Sequence, residues 1–167
     1  MRHRWIAGSA AAVALVVGFL LWPLMPALEI VDGRSGRVAF CERVQSGEEL
    51  VLTFVHSVNR RPVYDTLRVM DDHLLIVKSR FDAFGAGMPE ASTQDGTLRV
   101  AEDGWLEWTV NRPVPEVTVR VGRVAEHTLV FKGREIPLLS LAEPGAPLAL
   151  RVHTASVLDF MKGRCTP

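Results

Sequence analysis

The sequence predicts an all-β fold, a mainly antiparallel sandwich or small barrel, and three observations predict it. Apolar and polar residues alternate in many short runs, turn signals carrying glycine separate those runs, and no long helical period interrupts them beyond Leu28. At 167 residues with 48% hydrophobic content, the chain is about one domain long and can bury a real core.

The elements follow in chain order. Arg2, His3 and Arg4 precede an apolar run from Ile6 to Leu21 that continues through Trp22 and Pro23 to Ala27. Such a run is an export segment whose length falls between a signal peptide and a spanning helix, so residues 1–27 read either as an uncleaved anchor or as a cleaved leader. Met25-Pro26-Ala27 is a poor small-x-small cleavage site, and Trp5 and Trp22 stand where interfacial aromatics belong, which favours the anchor. In both cases the basic flank stays in the cytoplasm and residues 28–153 form an exported, periplasmic β domain, followed by a tail at 154–167.

Strands are expected at 28–31, 37–44, 50–58, 63–70, 74–80, 98–101, 105–110, 117–121, 127–131 and 148–152. Between them Asp32-Gly33, Asp95-Gly96, Asp103-Gly104 and Lys132-Gly133 supply the positive φ that tight hairpins demand. Asn111 to Pro115 holds two prolines, which remove ladder donors, so this stretch reads as a crossing loop or an edge. Trp105 and Trp108 fall on opposite faces of their strand, Trp108 with Leu106 toward the core. Thr154 is a candidate cap for a short helix with Val157, Phe160 and Met161 on one face, ending at Gly163.

The two cysteines, Cys41 and Cys165, both lie on the exported side. An oxidising compartment lets them form a bridge that ties the tail to the sheet; two free thiols are the alternative.

Charge narrows the function classes. Nineteen basic and nineteen acidic residues balance, and no basic stripe interleaves with aromatics, so a nucleic-acid partner is not expected. The five histidines, His3, His56, His73, His127 and His153, show no ligand-like spacing in the exported part, and neither a metal nor another cofactor is expected.

The stretch from Phe54 to Asp65 is out of character with the packing pattern around it, because His56, Ser57, Arg60, Arg61 and Asp65 gather within ten positions. Alternation places His56 and Ser57 on opposite faces of a strand, which argues against a nucleophile and base pair, and there is no Gly-x-Ser-x-Gly elbow. An enzyme is therefore not expected. A loop of two or four residues sets His56 opposite Asp65; a three-residue loop brings Ser57 beside the acid instead. The pair reads either as a structural tie under Phe54 or as a ligand or partner contact in which His56 and Ser57 hydrogen-bond and Arg60 or Arg61 attracts an anion.

A second string, Phe81 to Pro89, is placed to close over the same region. Phe84, Gly85, Gly87 and Pro89 suggest a sharp reversal or close backbone approach, with Phe81, Phe84 and Met88 packing inward. The Lys-Ser/Thr of a phosphate loop is missing and no helix follows, so a phosphate cradle is rejected.

His56-Ser57-Val58 with Pro62-Val63, then Phe84-Gly85-Ala86-Gly87-Met88-Pro89, then Gly133-Arg134-Glu135-Ile136-Pro137-Leu138 resemble the bacterial domain of unknown function 1850 family over about Leu28 to Val152. The resemblance implies a small exported protein of the kind often encoded beside tripartite (TRAP-type) transporters of the TAXI class, which use a periplasmic binding protein and an ion-driven permease. It implies an accessory role in uptake, with a TRAP-type permease or TAXI-type solute-binding protein as partner; an autonomous small-ligand or ion-binding module is the alternative. Asp65 stands where the family commonly has Glu, and the tail from Thr154 extends past the family core.

Overall fold

The computed structural model describes residues 15–166. Eleven strands run in chain order: β1 Pro23–Asp32, β2 Val38–Arg43, β3 Glu49–Val55, β4 Pro62–Val69, β5 Leu74–Phe81, β6 Thr97–Val100, β7 Leu106–Val114, β8 Glu116–Arg120, β9 Thr128–Phe131, β10 Arg134–Pro137 and β11 Pro147–Ser156. A 3-10 turn at Leu138–Ser140 and a short helix α1, Val157–Met161, complete the order. The strands form a four-stranded sheet, β2-β1-β11-β8, and a seven-stranded sheet, β10-β9-β3-β4-β5-β7-β6, with every pairing antiparallel. This is the all-β fold that the alternation predicts, and of the two forms left open it is the sandwich and not the small barrel.

The core lies between the sheets because each strand offers one apolar face. Leu28 and Ile30 of β1, Leu148 and Leu150 of β11 and Val119 of β8 meet Leu50 and Leu52 of β3, Leu67 and Val69 of β4, Leu74 of β5, and Leu129 and Phe131 of β9.

The strand edges differ from expectation for local reasons. β1 begins at Pro23 rather than Leu28, because Met25 to Ala27 pair with Ala155 to His153 of β11. Residues 15–21 are helical, and no helix among the described residues is long and apolar enough to cross a membrane. Of the anchor or leader expected at 1–27, residues 1–14 lie outside the described part, and Pro23 to Ala27 belong to β1 instead.

β10 is an unforeseen strand. It exists because Lys132 (φ 48°) and Gly133 (φ 73°) form a two-residue turn that lays Arg134 against Phe131. The proline-rich stretch proves to be both edge and crossing. β7 continues through Pro113 opposite Leu75 of β5, but β6 covers only Leu106 to Thr109, so the end of β7 is free on one side. Asn111 takes a positive φ of 51° where the β5–β7 register shifts, and beyond Pro115 the chain joins the other sheet as β8.

At the C-terminus the cap is Ser156, not Thr154. β11 extends through Thr154, and Ser156 closes a reciprocal capping box with Asp159. Phe160 packs toward Ala27, Cys41 and Ala155 on the outer face of the small sheet, whereas Met161 is 70% exposed and shares no buried face with it. Cys41 and Cys165 are bonded, Cα atoms 4.4 Å apart.

Candidate functional site

β3 ends at Val55, which pairs with Pro62, so six residues connect the strands rather than two, three or four. His56 N–H donates to the Arg61 carbonyl (2.8 Å), Arg60 N–H donates to the His56 carbonyl (3.0 Å), and Arg60 sits at φ 58°. Strand alternation therefore stops before His56. The register places Asp65 opposite Leu52, so His56 does not meet Asp65, and no cross-strand pair forms between Ser57 and the acid. Phe54 likewise does not cover His56; its ring lies 5.6 Å from that of His127.

His56 is used differently. Val58 N–H donates to its Nδ1 (3.3 Å), which leaves the proton on Nε2, and Nε2 donates to the Ala86 carbonyl (3.2 Å). Asn59 works in parallel: its amide nitrogen donates to the carbonyls of Ala83 (3.3 Å) and Phe84 (3.1 Å), while its oxygen accepts from Arg61 N–H (3.1 Å). Arg61 holds Asp82 through two guanidinium nitrogens, which keeps the Asp82 carboxyl below its usual range. The 56–61 and 82–89 loops are thus pinned to each other by two side chains and one ion pair.

Glycine is required at the contact. A Cβ on Gly85 would lie 2.9 Å from Asn59 Nδ2 and 3.1 Å from His56 Cε1, so the close approach depends on its absence. Gly87 takes φ +82° in the reversal that follows, and Pro89 is half-buried at the exit. Phe81 is buried, but Phe84 is not: its ring meets Phe81 edge-on at 6.3 Å and remains 49% exposed, because its carbonyl is held down by Asn59. Val58 is 65% exposed, and Ser57 and Arg60 are also exposed. Neither Ser57 nor Arg60 has a side-chain hydrogen bond among the described residues. The result is a firm two-loop tip presenting Val58, Phe84, Ser57 and Arg60 outward.

Asp65 lies apart from this tip. It points inward between Leu52 of β3 and Ser79 of β5, and Ser79 Oγ donates to its carboxylate. Burial pushes the Asp65 carboxyl up, against the smaller opposing pull of Ser79. A folded-state value above the unfolded one means that this group favours folding fully below the unfolded value, and that the contribution is lost as pH rises through the folded value. Asp65→Asn, which still accepts from Ser79, is therefore expected to melt higher than wild type at pH 7, with the gap shrinking toward pH 3. Thermal unfolding across that range checks it.

Sequence reasoning missed three carboxylates that the fold buries, two on the outer sheet faces and one between the sheets. Glu29 is paired with Arg151, Glu42 with Arg134 and Lys132, and Glu107 with Lys78 and Arg99. Glu29 and Glu107 stand at outward positions of their strands, where an acid looks solvated and only the register reveals a cation on the neighbouring strand; Glu42 instead shares the inward face of β2 with Phe40, and its cations come from the β9–β10 hairpin of the other sheet. Among the described residues no cluster of His, Cys, Asp or Glu could hold a metal ion. A shallow hollow of about 330 Å³ lies beside the tip, lined by Thr53, Phe54, Tyr64, Glu126 and Glu135 among others.

No curated protein and no solved structure matches the chain. The family model for a domain of unknown function, DUF1850, matches residues 50–138, which carry both loops of the tip, the buried Asp65 and the β9–β10 hairpin. With more than half of its length matched, the chain belongs to the DUF1850 family.

Proposed function

We propose that this protein is a membrane-anchored periplasmic accessory protein that docks on a TRAP-type transporter, on its permease or its TAXI-type solute-binding protein, through the interlocked tip. The observation that carries this reading is the combination of a tied-down backbone with outward apolar side chains. His56 and Asn59 spend their hydrogen bonds on the opposing loop, and Val58 and Phe84 are left facing solvent beside Arg60. Loops already ordered lose little freedom on association, and aromatic and arginine side chains are the types enriched where proteins meet. The bond between Cys41 and Cys165 supports an oxidising compartment, and Arg2 and Arg4 ahead of the apolar run support a cytoplasmic start. No catalytic role is assigned to the tip, since both ring nitrogens of His56 are occupied by backbone groups.

The test is recovery of partners from gently solubilised native membranes with the tagged full-length protein. Wild type is expected to bring down a multi-pass permease or a solute-binding protein, and Val58→Asp with Phe84→Asp to lose at least nine-tenths of it while melting as wild type does. A partner retained by the folded double variant would remove the tip from the interface. A clean protein in every case would favour an autonomous ligand-binding module.

A further inference from the structure

A groove of about 610 Å³ lies on the outer face of the four-stranded sheet, outside the stretch matched by the family model. It exists because the side chains on its floor are small, Ala39, Cys41 and Ala155 among them, while the chain after α1 passes over them. That overhang is fastened. Cys165 is bonded to Cys41, Thr166 N–H donates to the Cys41 carbonyl (2.8 Å), and Arg43 N–H donates to the Thr166 carbonyl (2.8 Å). A wall held by one covalent and two backbone bonds to the edge of β2 is a preformed one, and the volume falls in the range of small-molecule sites.

Glu29 is the deepest polar group in the groove. It is 6% exposed and sits on β1 between Cys41 of β2 and Arg151 of β11. Arg151 donates twice to the same oxygen, Oε2, at 3.0 and 2.8 Å, and Oε1 has no hydrogen bond among the described residues. A carboxylate more than nine-tenths buried thus keeps one acceptor without a protein partner, in a groove whose other lining combines Val38, Ala39 and Ala155 with His153, Asp159, Arg164 and Thr166. Such an oxygen is best satisfied by a charged N–H donor, since charge-assisted hydrogen bonds are roughly twice as strong as neutral ones. Arg164, the cation on the overhang, is already turned to Asp159 at 3.3 Å.

We propose that this groove is a binding site for a small ammonium compound with an apolar body, its N–H donated to Glu29 Oε1 and its body lying against Val38 and Ala39. The site is separate from the two-loop tip.

Isothermal titration of the full-length protein in detergent micelles tests it, with benzylammonium as the probe and benzyl alcohol as its uncharged counterpart. Benzylammonium is expected to bind saturably and benzyl alcohol at least tenfold more weakly. Glu29→Gln is expected to weaken benzylammonium about tenfold or more. Ala39→Trp fills the groove from β2 at a position that is not the strand partner of Glu29, so it is expected to abolish binding while leaving the unliganded melting temperature within a few degrees of wild type. Phe84→Asp, at the tip, is expected to bind benzylammonium as wild type does. Absence of saturable binding, equal binding of benzyl alcohol, or undiminished binding in a folded Ala39→Trp protein would each overturn the proposal.

Discussion

Replacing Cys41 and Cys165 together with serine is expected to lower the unfolding free energy by about 3–5 kcal/mol. The bond joins residues 124 apart in sequence, so its removal returns nearly the whole chain's loop-closure freedom to the unfolded state. Local packing adds to this, because both cysteines are buried with Ala27 and Ala155 and Phe160 lies over them. Two hydroxyls in that small apolar cluster would be left without partners. Urea unfolding of the double variant, and of wild type with and without dithiothreitol, measures the loss. Hydrogen exchange adds a local signature: the Arg43 and Thr166 amides should lose protection first, while amides of β3 and β4 keep theirs. A loss below about 1 kcal/mol would mean that the backbone bonds to β2 hold the tail without the bridge.

The second large effect is expected at Glu107. Its carboxylate is 5% exposed, accepts from Lys78 Nζ at 2.7 Å and Arg99 Nε at 2.9 Å, and lies 3.9 Å from Arg80 Nε. Arg80 also rests on the Trp105 ring at 5.6 Å, and Trp105 meets Tyr64 edge-on at 5.5 Å, so the ion cluster and the aromatic pair form one patch. Glu107→Ala would leave three cations facing one another on adjacent strands. Breaking a fully buried pair costs about 3–5 kcal/mol. Here the partners are 33–64% exposed and water recovers part of that, so a loss of about 2–3 kcal/mol is expected.

The pH dependence gives the sign. Lys78 and Arg99 hold the Glu107 carboxyl below its usual range, so its contribution is present above the unfolded value near 4.5 and is lost as pH falls through the lower folded value. Urea midpoints of wild type and Glu107→Ala should therefore differ most at pH 7 and converge toward pH 3. A constant gap would assign the loss to packing against Lys78 and Arg80 rather than to charge.

Glu107 also shows where reading the chain stopped. Trp105-Leu106-Glu107-Trp108 alternates, and from that pattern Leu106 and Trp108 are correctly set on one face and Glu107 on the other. Whether an outward acid is solvated or enclosed depends on the two strands beside it. Lys78 and Arg80 come from β5 and Arg99 from β6, and alternation says nothing about which strands become neighbours. Glu29 was missed in the same way.

The tip was legible in outline. His56, Arg61, Gly85 and Gly87 stand out by type, and the two strings that contain them do come together. The partnership within them was not legible. A connection of two or four residues implied a His56 and Asp65 pair and one of three a Ser57 and Asp65 pair, whereas the six-residue loop that forms is held by contacts with the 82–89 loop, some 25 positions away. Asn59, which the residue types did not single out, makes the most connections there.

Composition and alternation by themselves determined that this chain is all-β with a core built from one face of each strand, a sandwich or a small barrel; the two separate sheets made it a sandwich. A positive-φ turn at Lys132-Gly133 and a bend at the prolines after Asn111 follow from single residues, because those backbone preferences are local. Only the tertiary structure decided that Asp65 faces inward to Ser79, that Glu29 keeps one oxygen free beneath the tail, and that Cys165 reaches Cys41. Each of these depends on strand order and register, which are set by the packing of segments distant in sequence and not by any preference within them.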